Sequence, residues 1–125
     1  MASEAAHLAK ADSNQSFLET IGDEHSDWLA IVAFYKAVHL VEALFARQGR
    51  QSKNHSSRNN RLKKHHTAIW MAFSPLIRAS KLLRYTDHKM SALDVREQLI
   101  GTRLATVDSL IRKILSNKPM NKKAQ

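Results

Sequence analysis

Apolar residues recur along this chain at three- and four-residue steps, the period of an amphipathic helix, and no stretch alternates in the two-residue period of a strand. The clearest run is Trp28 to Arg47. There Trp28, Ile31, Val32, Tyr35, Val38, Val41, Leu44 and Phe45 form an arc wide enough to meet two neighbouring helices. Ser26 or Asp27 can cap it, and Gln48 with Gly49 ends it. Before it, Ser3 to Ile21 reads as one or two helical pieces closed by Gly22. After it, the polar loop Gln51 to Ser56 leads to a short basic helix, about Arg58 to His65, capped by Ser56 or Ser57 and anchored inward by Leu62.

Ala68 to Tyr85 is helical again, with Ile69, Trp70, Phe73, Leu76, Ile77, Leu82 and Leu83 inward. Pro75 predicts a kink, or a fresh start capped by Ser74. Ser91 and Asp94 make a capping pair for the last helix, which repeats Leu93, Leu99 or Ile100, Leu104, Val107, Leu110 or Ile111, and Ile114 as far as Asn117. Asp108 and Arg112 are spaced to pair on its outer side. The expected architecture is therefore all-α, an antiparallel four- to five-helix up-and-down bundle. It forms a single domain over residues 1–117, followed by a basic disordered tail over residues 118–125.

Composition narrows the function. Three glycines and two prolines in 125 residues leave long helices uninterrupted. The absence of cysteine excludes disulfides, thiolate metal sites and cysteine nucleophiles. The charge-free run Trp28 to Tyr35 is far shorter than the ~20 residues of a membrane crossing, and no secretory pattern opens the chain. A cytoplasmic protein that makes no membrane contact is expected. The formal charge of +9 points to a polyanionic partner such as RNA.

That charge is concentrated. From Arg47 to His66 there are seven Arg or Lys residues (Arg47, Arg50, Lys53, Arg58, Arg61, Lys63 and Lys64), three histidines (His55, His65 and His66) and no acid. On a helix, Arg58, Arg61 and His65 stand at i, i+3 and i+7 and share a face. An imidazole can move a proton on and off a ribose hydroxyl while guanidinium groups hold the phosphate, which is a minimal kit for RNA cleavage without a metal. The alternative is a charged surface that binds nucleic acid or is merely solvated. No cofactor is expected, and a metal site is disfavoured because His65 and His66 diverge by about 100° on a helix with no acid nearby. His39, inside the apolar second helix, reads as a packed or hydrogen-bonded residue. Trp28, Tyr35 and Trp70 read as core or dimer-interface residues.

Several features follow one another in order. Phe34, Tyr35 and Ala37 precede His39-Leu-Val-Glu-Ala-Leu-Phe-Ala46; then come Lys53-Asn-His55, Arg58-Asn59 and Leu83-Arg84-Tyr85. Over Asp27 to Leu115 this order resembles the HEPN family of small helical bundles. The resemblance implies a homodimer. It also implies, for many members, a metal-independent endoribonuclease of toxin or defence type, built on an Arg, a following polar residue and a His, with two copies meeting across the dimer. Arg58 with His65, or Arg61 with His66, can be matched to that motif, while Arg84 to His88 has a shorter spacing. The implied catalytic residues are Arg58, Arg61 and His65. On charge, Arg50, Lys53, His55, Lys63, Lys64, His66 and Arg84 are candidate nucleic-acid contacts. Some members pair with a nucleotidyltransferase antitoxin and carry a Tyr two residues after the His; none follows His65, His66 or His88 here. A non-catalytic binding module of the same fold is the alternative.

Overall fold

The first helix begins where the Ser3 side chain accepts a hydrogen bond from the Ala6 amide. In the computed structural model, which describes residues 2–117, it is α1 (Glu4–Leu18). A short 3₁₀ turn, Asp23–His25, leads into α2 (Ser26–Arg47), followed by α3 (His55–His65) and α4 (Thr67–Tyr85). The last helix, α5, covers residues 92–116. It opens with Ala92–Asp94, widens into a π-helical stretch, Val95–Leu104, and finishes as Ala105–Ser116. No strand occurs among the described residues. The tail expected over residues 118–125 lies outside them.

Contacts between helices give the topology. Glu4 meets Arg47 and Gln15 meets Lys36, so α1 and α2 are antiparallel. Phe34 stacks on Phe73 and Gln48 reaches His66, so α2 and α4 are antiparallel. Arg96 reaches back to Asp23, just ahead of α2, and Asp108 meets Lys36, which sets α5 parallel to α2. Four long helices thus form an up-and-down bundle, and α3 is a short fifth helix laid against α4.

The central element is α2, which touches α1, α4 and α5. Leu29, Ala33, Ala37, Leu40, Val41, Ala43 and Leu44 are essentially inaccessible to solvent. Residues 23–47 are long and apolar enough to satisfy the length and composition of a membrane span, but 72% of the 18-residue apolar window within them is buried in the bundle. Alanines at 30, 33, 37 and 43 let neighbouring helices approach closely, while Phe45, Phe73, Leu62 and Leu76 fill the space between α2, α3 and α4.

Several inward expectations are corrected. Leu82, Leu93 and Ile114 are exposed, and Trp28 and Tyr35, read as core or dimer-interface residues, lie outside the core, Trp28 being 51% exposed. Periodicity marks an apolar arc, but the outer margin of each arc is only partly covered by the described residues. Nor does Pro75 break α4. The helix runs through it, with Ile69 and Phe73 buried on one side and Leu76 and Ile77 on the other, and Ser74 accepts a hydrogen bond from Arg78 instead of capping a new helix. The packing holds the segment together despite the amide that proline removes.

Lys36 is the charge that α2 must bury. Its ammonium lies 2.8 Å from Asp108 and donates to Gln15 at 2.9 Å. Asp108 also accepts from Arg112, whose other nitrogen donates to Asp12 at 2.9 Å. The expected Asp108 and Arg112 pair therefore forms, but its carboxylate is turned inward to neutralise Lys36. Burial alone would raise the Asp108 carboxyl. The hydrogen bond and charge of Lys36, with those of Arg112, more than offset this and hold it below the usual carboxylate range. His39 is hydrogen-bonded to His7 across α1 and α2, Nδ1 to Nδ1 at 3.1 Å. Burial, then His7 and Lys10, push its imidazole below the ordinary 6.5, with Glu42 opposing.

Two stability predictions follow from these buried charges. Asp108→Ala strands Lys36 and costs about 3 kcal/mol, whereas Lys36→Met leaves Asp108 paired with Arg112 and costs about 1 kcal/mol or less; urea denaturation of both variants checks the asymmetry. Acid acts in two windows. His39 is harder to protonate folded than unfolded, so its contribution is full above pH 6.5 and declines below it. Asp108 is easier to ionise folded than unfolded, so its contribution holds above its ordinary 3.8 and is lost as pH falls further. Denaturation midpoints measured from pH 7.5 to 1.5 should show both steps, with the upper one reduced in His39→Gln.

Candidate nucleic-acid interface

The placement of α3 begins at the end of α2. Gly49 has φ +72°, the left-handed conformation that glycine adopts without strain. With it, the Gly49 amide bonds the Ala46 carbonyl at 3.0 Å and the Arg50 amide bonds the Phe45 carbonyl at 2.8 Å. These two bonds make a Schellman motif, which stops α2 and turns the chain back.

The next helix starts earlier than the serines predict. Asn54 accepts from the Ser57 amide at 2.8 Å, and the Ser57 hydroxyl accepts from the Asn54 amide at 3.2 Å, a reciprocal capping box. The cap is Asn54, not Ser56 or Ser57, because its amide oxygen accepts from the free Ser57 amide three residues on while the Ser57 hydroxyl accepts from the Asn54 amide behind it. His55 consequently belongs to the first helical turn, three residues before Arg58 and on its face. At the other end α3 passes to α4 through the single residue His66.

Arg58 is 4% exposed. Its guanidinium carbon lies 5.5 Å from the centroid of the Phe73 ring, and its Nε is buried without a hydrogen-bond partner. Burial lowers its pKa, opposed by the charge of Glu42. Arg84, from α4, donates through Nε to the Ser80 carbonyl at 3.3 Å and through Nη1 to the Tyr35 hydroxyl at 3.5 Å. Its guanidinium lies over Phe34 and Tyr85. Arg58, Arg84, His55, Asn59, Lys81 and Tyr35, with Phe34 and Ile77 behind them, line a cleft of about 120 Å³ that has no acidic side chain in its wall.

The other basic residues lie outside that cleft. Arg61 turns toward α2, 5.4 Å from the Phe45 centroid, and donates to Gln48 at 3.5 Å. Burial, then the charge of Arg50, lower its pKa. His66 is half-buried and hydrogen-bonded to Gln48 at 3.1 Å; burial, then Arg61 and His65, push its imidazole down. Lys63 lies 5.1 Å from the Trp70 centroid. Arg50, Lys53, Lys63, Lys64 and His65 are exposed.

Within one chain, then, Arg58 joins His55 and Arg84, while Arg61 faces a different ring and His65 stands in solvent at the end of α3. The i, i+3, i+7 spacing aligns the three side chains along the helix, but Arg58 and Arg61 reach to opposite sides of the groove that α3 covers. Lys81 escaped the reading of the sequence, and Tyr35, read there as a core or dimer-interface residue, lines the cleft. The signal for Lys81 was its position three residues before Arg84 on one helix. Among the described residues no three His, Asp or Glu side chains gather as a metal site.

Because Arg58 is buried with no ion pair among the described residues and only the more distant charge of Glu42 in its favour, an apolar side chain of similar length should serve the fold about equally well. Arg58→Met is expected to stay within about 1 kcal/mol of the parent stability, against a loss of about 2–5 kcal/mol for Leu62→Ala, one turn away in the core. Chemical denaturation of the two variants measures the difference. No protein-family model, curated protein or solved structure matches this chain.

Proposed function

We propose that this protein is an RNA-binding helical bundle of HEPN-like type, which engages phosphates through the basic surface of α3 and the loop before it. The observation that carries the reading is the acid-free composition of residues 47–66 combined with the exposure of Arg50, Lys53, Lys63 and Lys64 on that surface. Mobile cations on a rigid apolar frame suit the sequence-independent part of nucleic-acid binding, in which each neutralised phosphate releases counterions.

Ribonuclease activity is the more specific reading, and the geometry makes it depend on a second copy. His65 does not meet Arg58 or Arg61 within the chain, so a site built from those three residues needs the partner of a homodimer to bring an imidazole to the phosphate. A nucleotidyltransferase antitoxin belongs with that reading.

Fluorescence anisotropy with a labelled single-stranded RNA, in EDTA, tests both. If about four phosphates are neutralised, affinity falls roughly 50-fold between 50 and 200 mM salt; the double variant Lys63→Gln, Lys64→Gln reduces that fall to roughly sevenfold. Affinity indifferent to salt would sink the reading. The same samples run on a gel should contain intact RNA. Fragments made by the parent and absent with His65→Ala would instead establish the dimeric nuclease.

A further inference from the structure

A buried guanidinium ordinarily has a carboxylate or a set of carbonyls around it, because removing its charge from water is costly. Lys36 follows that rule, with Asp108 and Gln15 in contact. Arg58 does not. It is 4% exposed, its Nε has no partner, and the neighbouring Asn59 Oδ1 is also buried and unpartnered. The cleft it lines adds Arg84, Lys81 and His55 without any carboxylate in the wall. Among the described residues only the charge of Glu42, outside the cleft wall, offsets the repulsion among these cations.

We infer that the cleft between α2, α3 and α4 is a seat for the terminal phosphate of an RNA strand, a tetrahedral dianion held by Arg58 and Arg84 with Lys81 and His55 at the rim. Size supports a single phosphate. At about 120 Å³ the cleft is well below the ~300–1,000 Å³ of pockets that take whole small molecules. A phosphomonoester enters such a space head first with three oxygens free, each able to accept from a guanidinium. An internal phosphodiester has only two free oxygens, and both its ester links must leave through the mouth. Arg84 is already positioned by Ser80 and Tyr35, so part of the entropy of ordering it is lost before the ligand arrives. The exposed Tyr35 stands beside the entrance, where the first base could stack.

This inference rests on the RNA-binding reading for the source of the phosphate, and the experiment separates the two. RNA 12-mers of one sequence are compared with a 5′-phosphate, a 3′-phosphate, or hydroxyls at both ends. Inorganic phosphate is used as a separate probe of thermal stability against chloride at equal ionic strength. The expected result is at least tenfold tighter binding of a phosphorylated end than of hydroxyl ends, and a melting temperature raised by phosphate. Arg58→Met and Arg84→Gln should abolish both effects. Arg61→Gln, outside the cleft, should weaken all three RNAs alike and keep the end preference.

Equal affinity for all three RNAs, with no effect of inorganic phosphate, overturns the cleft assignment and leaves RNA binding standing. A phosphate effect lost in Arg58→Met, with no RNA bound in any form, keeps the anion seat and overturns the RNA reading. Circular dichroism of each variant confirms that it is folded.

Discussion

One helix that must be hidden from water on most of its circumference governs this molecule. The apolar content of α2 exceeds what a single partner can cover, and α1, α4 and α5 each take a share of it. Such enclosure is a strong constraint on any polar group that α2 carries. Lys36 is accommodated because α5, running parallel to α2, delivers Asp108 to its ammonium, and because α1 supplies Gln15. The ionic cluster that follows, through Arg112 to Asp12, ties three helices together at one level of the bundle.

The same enclosure explains why α3 exists as a separate element. Between α2 and α4 a groove floored by Phe45 and Phe73 needs a cover, and Leu62 alone is too small to fill it. The aliphatic stems and flat guanidinium faces of Arg58 and Arg61 complete the cover by lying over those two rings, where the attraction of a cation for a π face offsets part of the loss of water. Two arginines of one short helix are thereby given different roles. Arg61 borders the basic outer surface with Gln48 and His66, while Arg58 is withdrawn into a cleft with Arg84. In the function proposed above, the outer surface supplies long-range attraction and the cleft supplies a defined point of contact.

Much of the architecture was legible in the chain. The period of Trp28 to Arg47 and of the last helix, the Gly49 stop and the Ser91 cap all reappear, because each depends on local backbone chemistry that a few neighbouring residues settle. Less legible was which edge of an apolar arc is covered: Trp28, Tyr35 and Leu82 have the spacing of core residues but stay about half exposed. Nor did the pattern foretell the π-helical stretch Val95–Leu104, where the Thr102 hydroxyl donates to the Glu97 carbonyl and the Arg96 carbonyl comes within 3.0 Å of where a Cβ on Gly101 would lie. That segment is widened while Arg96 is anchored to Asp23 and the Ile21 carbonyl, a contact 73 to 75 residues distant in sequence.

For the candidate site the division is sharper. Composition by itself determined that residues 47–66 carry positive charge and imidazoles with no acid among them, since charge density needs no folding to be counted. Which cations stand alone, which are stacked on rings and which share a cleft was decided only by tertiary structure. The cap at Asn54 brought His55 onto the face of Arg58, and the antiparallel return of α4 brought Arg84 and Lys81 opposite them, from more than twenty residues away. Spacing along a helix fixes the direction in which a side chain leaves the backbone, but the neighbour that receives it belongs to another helix, and no local rule specifies how the two are packed together.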